Sequence, residues 1–439
     1  MIVSLIFTIL FLIYPKITQS QEPVPNNKFG IHIISPVPKE ASDAASLVNS
    51  SGGDWGYVTF LIESKDRNEN KWQEFFNDLR RRHLIPIVRL ATKPVNEHWE
   101  RPYEKEYEAW ADFLDRLNWP VKNRYVVIYN EPNHAKEWGN FVDPKNYAEV
   151  LDRTITALKN KNRDFFVLNA GLDQAAPHQP PQYFDEELFL QEMEKTVPGI
   201  FNKLDGWVSH SYPNPAFAGS PNASGRGTVR GWLWELQQLR NLGLTKNLPV
   251  FITETGWKRT KGLSSELIGE YLQTAFLNAW SSNQIMAVTP FLLNYLEPPF
   301  VDFSFQDQPQ YNIMASIPKI KGQPVQENKT ELTKGEIFSS IVSGQSYTIS
   351  LTFKNTGQSI WDPSTSSGQV KLVAIQGAKE LGLKEAAVSQ NVEPNQEYAF
   401  TLNLQAPQSG TFQVVLNLFN GNKEFDTPRL KFTTEVKEP

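Results

Sequence analysis

Eight short runs rich in β-branched and aromatic residues, separated by helix-forming stretches, fix the class of fold open to this chain. They are FGIHIIS (29–35), GYVTFLI (56–62), IPIVRLA (85–91), RYVVIYNEP (124–132), FFVLNAG (165–171), GWVSHSYP (206–213), PVFITETGW (249–257) and MAVTPFLLNY (286–295). Between them lie segments such as KWQEFFNDLRRR, YEAWADFLDRL, KNYAEVLDRTITALKN and SELIGEYLQTAFLNAW, whose apolar residues recur at spacings of three and four, the stripe of a helix that buries one face. Strands that alternate with helices pair in parallel, because a parallel partner requires a crossover. Eight such units predict a (β/α)8 barrel, spanning residues 21–316.

The texture changes beyond the eighth run. Residues 317–335, within IPKIKGQPVQENKTELTKGE, are polar and carry no apolar period, as a linker does. From 336 to 439 the pattern is all-β. SYTISLTFKNTG alternates at Tyr347, Ile349, Leu351 and Phe353, TFQVVLNLF at Phe412, Val414, Leu416 and Leu418, and NTG, SSG and NGN supply turns. The predicted fold is therefore α/β, a barrel followed by an all-β immunoglobulin-like sandwich expected to fold alone. FKNTGQSIW is similar to such modules in its turn before Trp361, a residue expected in the core. At the other end, MIVSLIFTILFLIYPKITQS reads as a signal peptide over residues 1–20. No Lys or Arg precedes its apolar run, which makes an uncleaved membrane anchor the alternative; both place the body in a secreted or extracytoplasmic setting.

Enzymes built on such barrels carry their chemistry at the C-terminal ends of the strands. Here those ends are polar: His32 and Ser35 on the first, Arg89 on the third, Asn130 and Glu131 on the fourth, His210 and Tyr212 on the sixth, Glu254 on the seventh and Asn294 on the eighth. Glu131 and Glu254 would face one another across the rim. Two carboxylates flanking a glycosidic bond suffice for sugar hydrolysis, and a separation of about 5–5.5 Å selects the retaining route. One must hold a proton while the other is charged, and Tyr212 could donate to Glu254 and favour its anion. Asn130, next to the acid, suits a sugar 2-hydroxyl.

NEP closing the fourth strand, HSY the sixth and ITETGW the seventh resemble the clan A glycoside hydrolases, over residues 29–296. The resemblance implies a retaining barrel enzyme with Glu131 as acid/base, Glu254 as nucleophile, Asn130 on the 2-hydroxyl, and His210 and Tyr212 around the nucleophile. Arg89, His32 and Trp257 complete the expected substrate-binding set, with Trp257 as a sugar platform or a packing residue. Two departures stand out. The family often carries an Arg near the end of strand two and a Trp at the end of strand eight, where this chain has Arg89 on strand three and PFLLNY.

Other classes are excluded on composition and spacing. With 43 Lys and Arg against 48 Asp and Glu there is no basic surface for a phosphate backbone, so nucleic acid is not an expected partner. Cysteine is absent, which removes thiolate chemistry and disulfides. The six histidines do not cluster, H-E-x-x-H and Ca-loop patterns are missing, and no G-x-S-x-G elbow occurs; no metal, no cofactor and no serine hydrolase mechanism is expected. The expected function is a secreted, monomeric retaining β-glycoside hydrolase acting on a poly- or oligosaccharide, with cell-surface association through the C-terminal unit. The alternatives are an inactive carbohydrate-binding barrel and a surface adhesin.

Overall fold

The computed structural model describes residues 24–335, 337–364, 368–405 and 408–439; the signal or anchor read over residues 1–20 lies outside them. Each of the eight runs contains a parallel strand: β1 (Gly30–His32), β2 (Gly56–Glu63), β3 (Leu84–Ala91), β4 (Arg124–Val127), β5 (Phe165–Leu168), β6 (Trp207–Ser209), β7 (Val250–Ile252) and β8 (Ile285–Val288). Strands β1 to β5 hydrogen-bond in chain order, as do β6 to β8. Parallel bridges from Leu168 to Gly206 and from Phe29 to Val288 join these runs at both seams and close the barrel.

A helix follows every strand: α1 (Pro38–Val48), α2 (Glu69–Arg81), α3 (Glu106–Arg116), α4 (Pro144–Lys161), α5 (Glu186–Thr196), α6 (Gly231–Asn241), α7 (Ser265–Thr274) and α8 (Pro309–Ser316). Local chemistry sets where several begin. Asn68, Asp143, Asp185 and Ser264 accept backbone N–H bonds in the first turns of α2, α4, α5 and α7, and α1, α4 and α8 open with proline. Trp72, Phe75, Phe76 and Leu79 form the buried stripe of α2, and the corresponding stripes join one core layer between helices and strands. The opposite strand faces fill the barrel interior with Tyr57, Ile87, Tyr125, Val127, Val208 and Phe251. Chemistry is thereby confined to the mouth.

Except at β2 and β3 the strands are shorter than their runs, and the difference matters at the fourth. In RYVVIYNEP the strand ends at Val127 and the last cross-strand bond is Ile128 N–H to Leu168 O, after which Tyr129 N–H turns back to Val127 O and the chain leaves the sheet. Asn130 and Glu131 thus stand on the turn beyond β4, while Glu254 and His210 lie just past β7 and β6. An apolar run shows where a chain is buried, but ladder pairing ends wherever the rim side chains must turn inward.

The C-terminal region is β-rich. One sheet pairs Thr330–Gly335, Tyr347–Asn355 and Glu397–Leu404; the other is built on Val370–Gln376, Gly410–Asn420 and Leu430–Lys437. Both contribute to one core, where Trp361 is fully buried against Phe400 and Phe425. In FKNTGQSIW, the Asn355 amide donates to Ser359 O and Val392 O, pinning the turn that brings Trp361 inside. The linker differs from its expected form. Its last six residues are the strand Thr330–Gly335, and its first part runs along the barrel floor, where Lys319 Nζ donates to Met314 O, Ala315 O and Ile317 O and Gly322 N–H to Asp54 O. Main-chain carbonyls rather than an apolar stripe hold it, which explains why the sequence shows no period.

The C-terminal region also meets the barrel directly. Arg81 makes a two-pronged pair with Glu393, Asn118 donates to Gly357 O and Gln358 to Val121 O. Among the described residues no helix is long and apolar enough to cross a membrane.

Candidate active site

The barrel mouth gathers seven of the eight site residues read from the sequence. Glu254, 11% exposed in its side chain, is the centre of the cluster. Arg89 Nη1 donates to its Oε1 at 2.8 Å and Tyr212 Oη to its Oε2 at 3.2 Å, while His32 Nε2 and His210 Nδ1 each stand 3.9 Å away. Burial pushes the Glu254 carboxyl up, yet His210, Arg89 and the Tyr212 hydrogen bond outweigh it and hold the group below the usual carboxylate range. Tyr212 moves the opposite way: burial and the facing carboxylates raise its pKa, so it stays a neutral donor.

Glu131 faces this group. His210 Nδ1 lies 2.8 Å from its Oε1, and donor atoms of Glu131, His210 and Glu254 all fall within 4.8 Å of one another. Burial alone would lower the His210 pKa, but the two glutamates raise it, favouring an imidazolium between them. Three such donors are also a set that a cation could share. Here the positive charge beside the carboxylates comes from Arg89 and His210, each at 2.8 Å, so the cluster is balanced by side chains.

Backbone geometry at the acid is unusual. Tyr129 and Glu131 take φ of 69° and 30°, a region costing non-glycine residues about 1–3 kcal/mol. Glu131 N–H to Gly171 O at 3.1 Å and His134 N–H to Glu131 O at 2.8 Å hold the turn. Arg89 Nη1 also donates to Asn130 Oδ1 at 2.7 Å, so the arginine on β3 joins both glutamate-bearing strand ends.

Two residues of the expected substrate-binding set are buried, and for Trp257 the packing alternative is the one observed. Trp257 is 2% exposed, its indole N–H donates to Gly219 O, and its ring packs on Tyr271 and Trp280. It belongs to the core and has no face open to a sugar. His32 is buried beside Phe291, neither ring nitrogen has a hydrogen-bond partner, and burial takes its pKa to about 3; it is a neutral wall of the site, within reach of Glu254. Phe291 itself stands just past β8 and packs on Phe300 and Phe303.

Three further residues emerge that the sequence reading had not selected. Asp173 pairs with His134 at 2.8 Å; burial lowers the pKa of that imidazole, and Asp173 and Glu131 raise it by more. Glu137 lies next to Asn130 and Arg89. Gly171 has no side chain because none fits: a Cβ there would meet His210 Cδ2 at 2.2 Å and Nε2 at 2.3 Å. A glycine closing a strand was the available signal, since it marks close approach. Gly171→Ala is expected to displace His210 from Glu131 and lower kcat by about 10²-fold, with overpacking costing about 1–3 kcal/mol of stability. Steady-state kinetics with thermal melts checks both; unchanged kcat contradicts the packing.

No protein-family model matches the chain, and no curated protein does either. Several solved structures align with it at low identity. A family 39 glycoside hydrolase from the gut symbiont Bacteroides cellulosilyticus WH2 aligns at 15% identity over 87% of this chain and 81% of its own, with a TM-score of 0.48. A GH128 (subgroup II) endo-beta-1,3-glucanase from Pseudomonas viridiflava aligns at 12% identity over 67% and 99%, with a TM-score of 0.45. A glycoside hydrolase family 30 subfamily 8 xylanase from Clostridium acetobutylicum does so at 12% identity over 87% and 96%, with a TM-score of 0.41.

Proposed function

We propose that this chain is a secreted retaining β-glycoside hydrolase that cleaves O-glycosidic bonds of a poly- or oligosaccharide by double displacement. The observation that carries the reading is the close apposition of Glu131 and Glu254, with donor atoms within 4.8 Å and Glu254 alone bonded to Arg89 and Tyr212. So close an approach favours the about 5–5.5 Å carboxyl spacing of retaining enzymes over the about 6.5–9.5 Å of inverting ones. In the first step a Glu254 oxygen attacks the anomeric carbon while Glu131 gives its proton to the leaving oxygen. In the second, Glu131 takes a proton from water, that water attacks the same carbon, and the bond to Glu254 breaks. Arg89 and Tyr212 favour the departing carboxylate, and Asn130 serves the 2-hydroxyl. His210, against Glu131, keeps a mobile proton beside the acid/base.

In the same reading the C-terminal region is an immunoglobulin-like sandwich that brings the barrel to a polymeric or cell-surface substrate, and the protein acts as a monomer. Incubating the full chain with chromogenic aryl glycosides and purified polysaccharides tests it. Hydrolysis is expected, and NMR of the first product formed should show the anomeric configuration of the substrate. Inversion overturns the mechanism, and sugar binding without cleavage favours an inactive carbohydrate-binding barrel.

A further inference from the structure

Six residues beyond Glu131 the chain returns a third carboxylate to the same place. Glu137 closes the single 3₁₀ turn Ala135–Glu137, half-buried under the short hairpin of Pro94–Val95 and His98–Trp99. With Arg89, Thr92, Trp99, Asn130 and Trp138 it lines a cavity of about 10 Å³, room for about one water. Asn130 and Glu137 line this cavity together, and Asn130 is among the groups that oppose the upward push on the Glu137 carboxyl. Because Asn130 Oδ1 already accepts from Arg89 Nη1 at 2.7 Å, what Asn130 offers Glu137 is its amide NH2. That leaves two N–H groups, one to face Glu137 across the cavity and one to face a ligand.

We propose that Glu137 is a positioning residue: with Arg89 on the carbonyl side and Glu137 on the amide side, Asn130 is held in the one orientation that presents an N–H to the sugar 2-hydroxyl. This rests on the glycoside hydrolase reading. A purely structural role fits poorly, since a third anion beside Glu131 and Glu254 is costly and an apolar side chain would fill so small a space without that cost. Burial pushes the Glu137 carboxyl up to about 7; Arg89 and the Asn130 contact oppose the shift, and Glu131 and Glu254 add to it. What an acidic group gains here is the fixed amide, because an asparagine side chain held only by its oxygen can swing its nitrogen out of place.

The test compares the full-length wild type, Glu137→Leu and Glu137→Gln on aryl glycosides and their 2-deoxy analogues. Glu137→Leu is expected to lower kcat/KM about tenfold on the 2-hydroxy substrate and less than about twofold on the 2-deoxy one, where the Asn130 contact does not exist. Glu137→Gln, which keeps an acceptor oxygen, should restore most of the loss. Equal losses on both substrates, or none, overturn the proposal. A second readout needs no turnover: tryptophan fluorescence, reporting Trp99 and Trp138 beside the carboxyl, should show an inflection near pH 7 that Glu137→Gln abolishes. If the wild type cleaves no glycoside, the functional reading falls, and this titration still decides: an inflection lost in Glu137→Gln supports the assigned place of Glu137, and one that persists removes it.

Discussion

Glu254→Ala is expected to lower kcat on aryl glycosides by at least about 10⁴-fold, because it removes the atom that forms the covalent bond. The surroundings predict more than loss. Arg89, Tyr212 and His210 converge on the Glu254 carboxylate from three sides. Its removal leaves a small cavity lined by a guanidinium, a hydroxyl and an imidazole, which is suited to a small anion. Azide or formate should occupy it and attack the anomeric carbon from the vacated side, so part of the turnover returns and the glycosyl azide has inverted configuration. The same cavity makes a stability statement. Breaking a buried pair by deleting one member costs about 3–5 kcal/mol, so the variant should melt well below the wild type, and saturating formate should recover part of the difference by binding only the folded form. The pH dependence has a definite sign. A carboxylate whose folded pKa is depressed contributes stability above its unfolded pKa and loses it as pH falls through the folded one. Glu254 is such a group, so the wild type should lose this contribution on acidification and the variant should have none to lose. Turnover unchanged in Glu254→Ala would falsify the nucleophile assignment.

What the sequence could and could not reveal divides along physical lines. The barrel was legible because each strand is buried on both faces and each helix on one, so periodicity reports them directly; Val58 and Phe60 face the helices while Tyr57 fills the interior. Glu131 and Glu254 were legible because a carboxylate at the end of an apolar run has no structural reason to be there. Residues that act through shape were not. Gly171 looks like any strand-closing glycine until His210 is seen against it. Trp257, three residues after Glu254, was open between sugar platform and packing and is core, a choice the sequence leaves undecided because the strand period does not continue into the loop after β7. Buried acids are hidden for a related reason. Glu186 and Glu235, on α5 and α6, are both buried and both pushed up, first by burial, as they face each other behind β6. Glu137 was passed over likewise, since nothing in AKEW says which way a short turn points its second charge.

Glu131→Gln is expected to separate two roles that one carboxyl plays in turn. Substrates with poor leaving groups, polysaccharides among them, need the proton, and their rate should fall by about 10²–10⁴-fold. Aryl glycosides whose phenol leaves unaided should form the glycosyl-enzyme at near-normal rate, and the basic limb of the pH profile for that step should flatten, while the acid limb, which belongs to Glu254, persists. The second step then lacks its base. The intermediate should accumulate, visible as a burst of phenol equal to the enzyme concentration and as a lowered KM. Azide needs no general base, so it should speed the second step and give a glycosyl azide of retained configuration, the opposite of the Glu254→Ala product. The amide in this variant keeps a carbonyl oxygen for the contact that His210 makes with Glu131 at 2.8 Å, so the site should stay assembled and the melt close to that of the wild type. A basic limb that persists unaltered in Glu131→Gln, on substrates that need no proton, assigns the acid to another residue. His210 is then the first candidate, since the two carboxylates favour its protonated form and it stands between them.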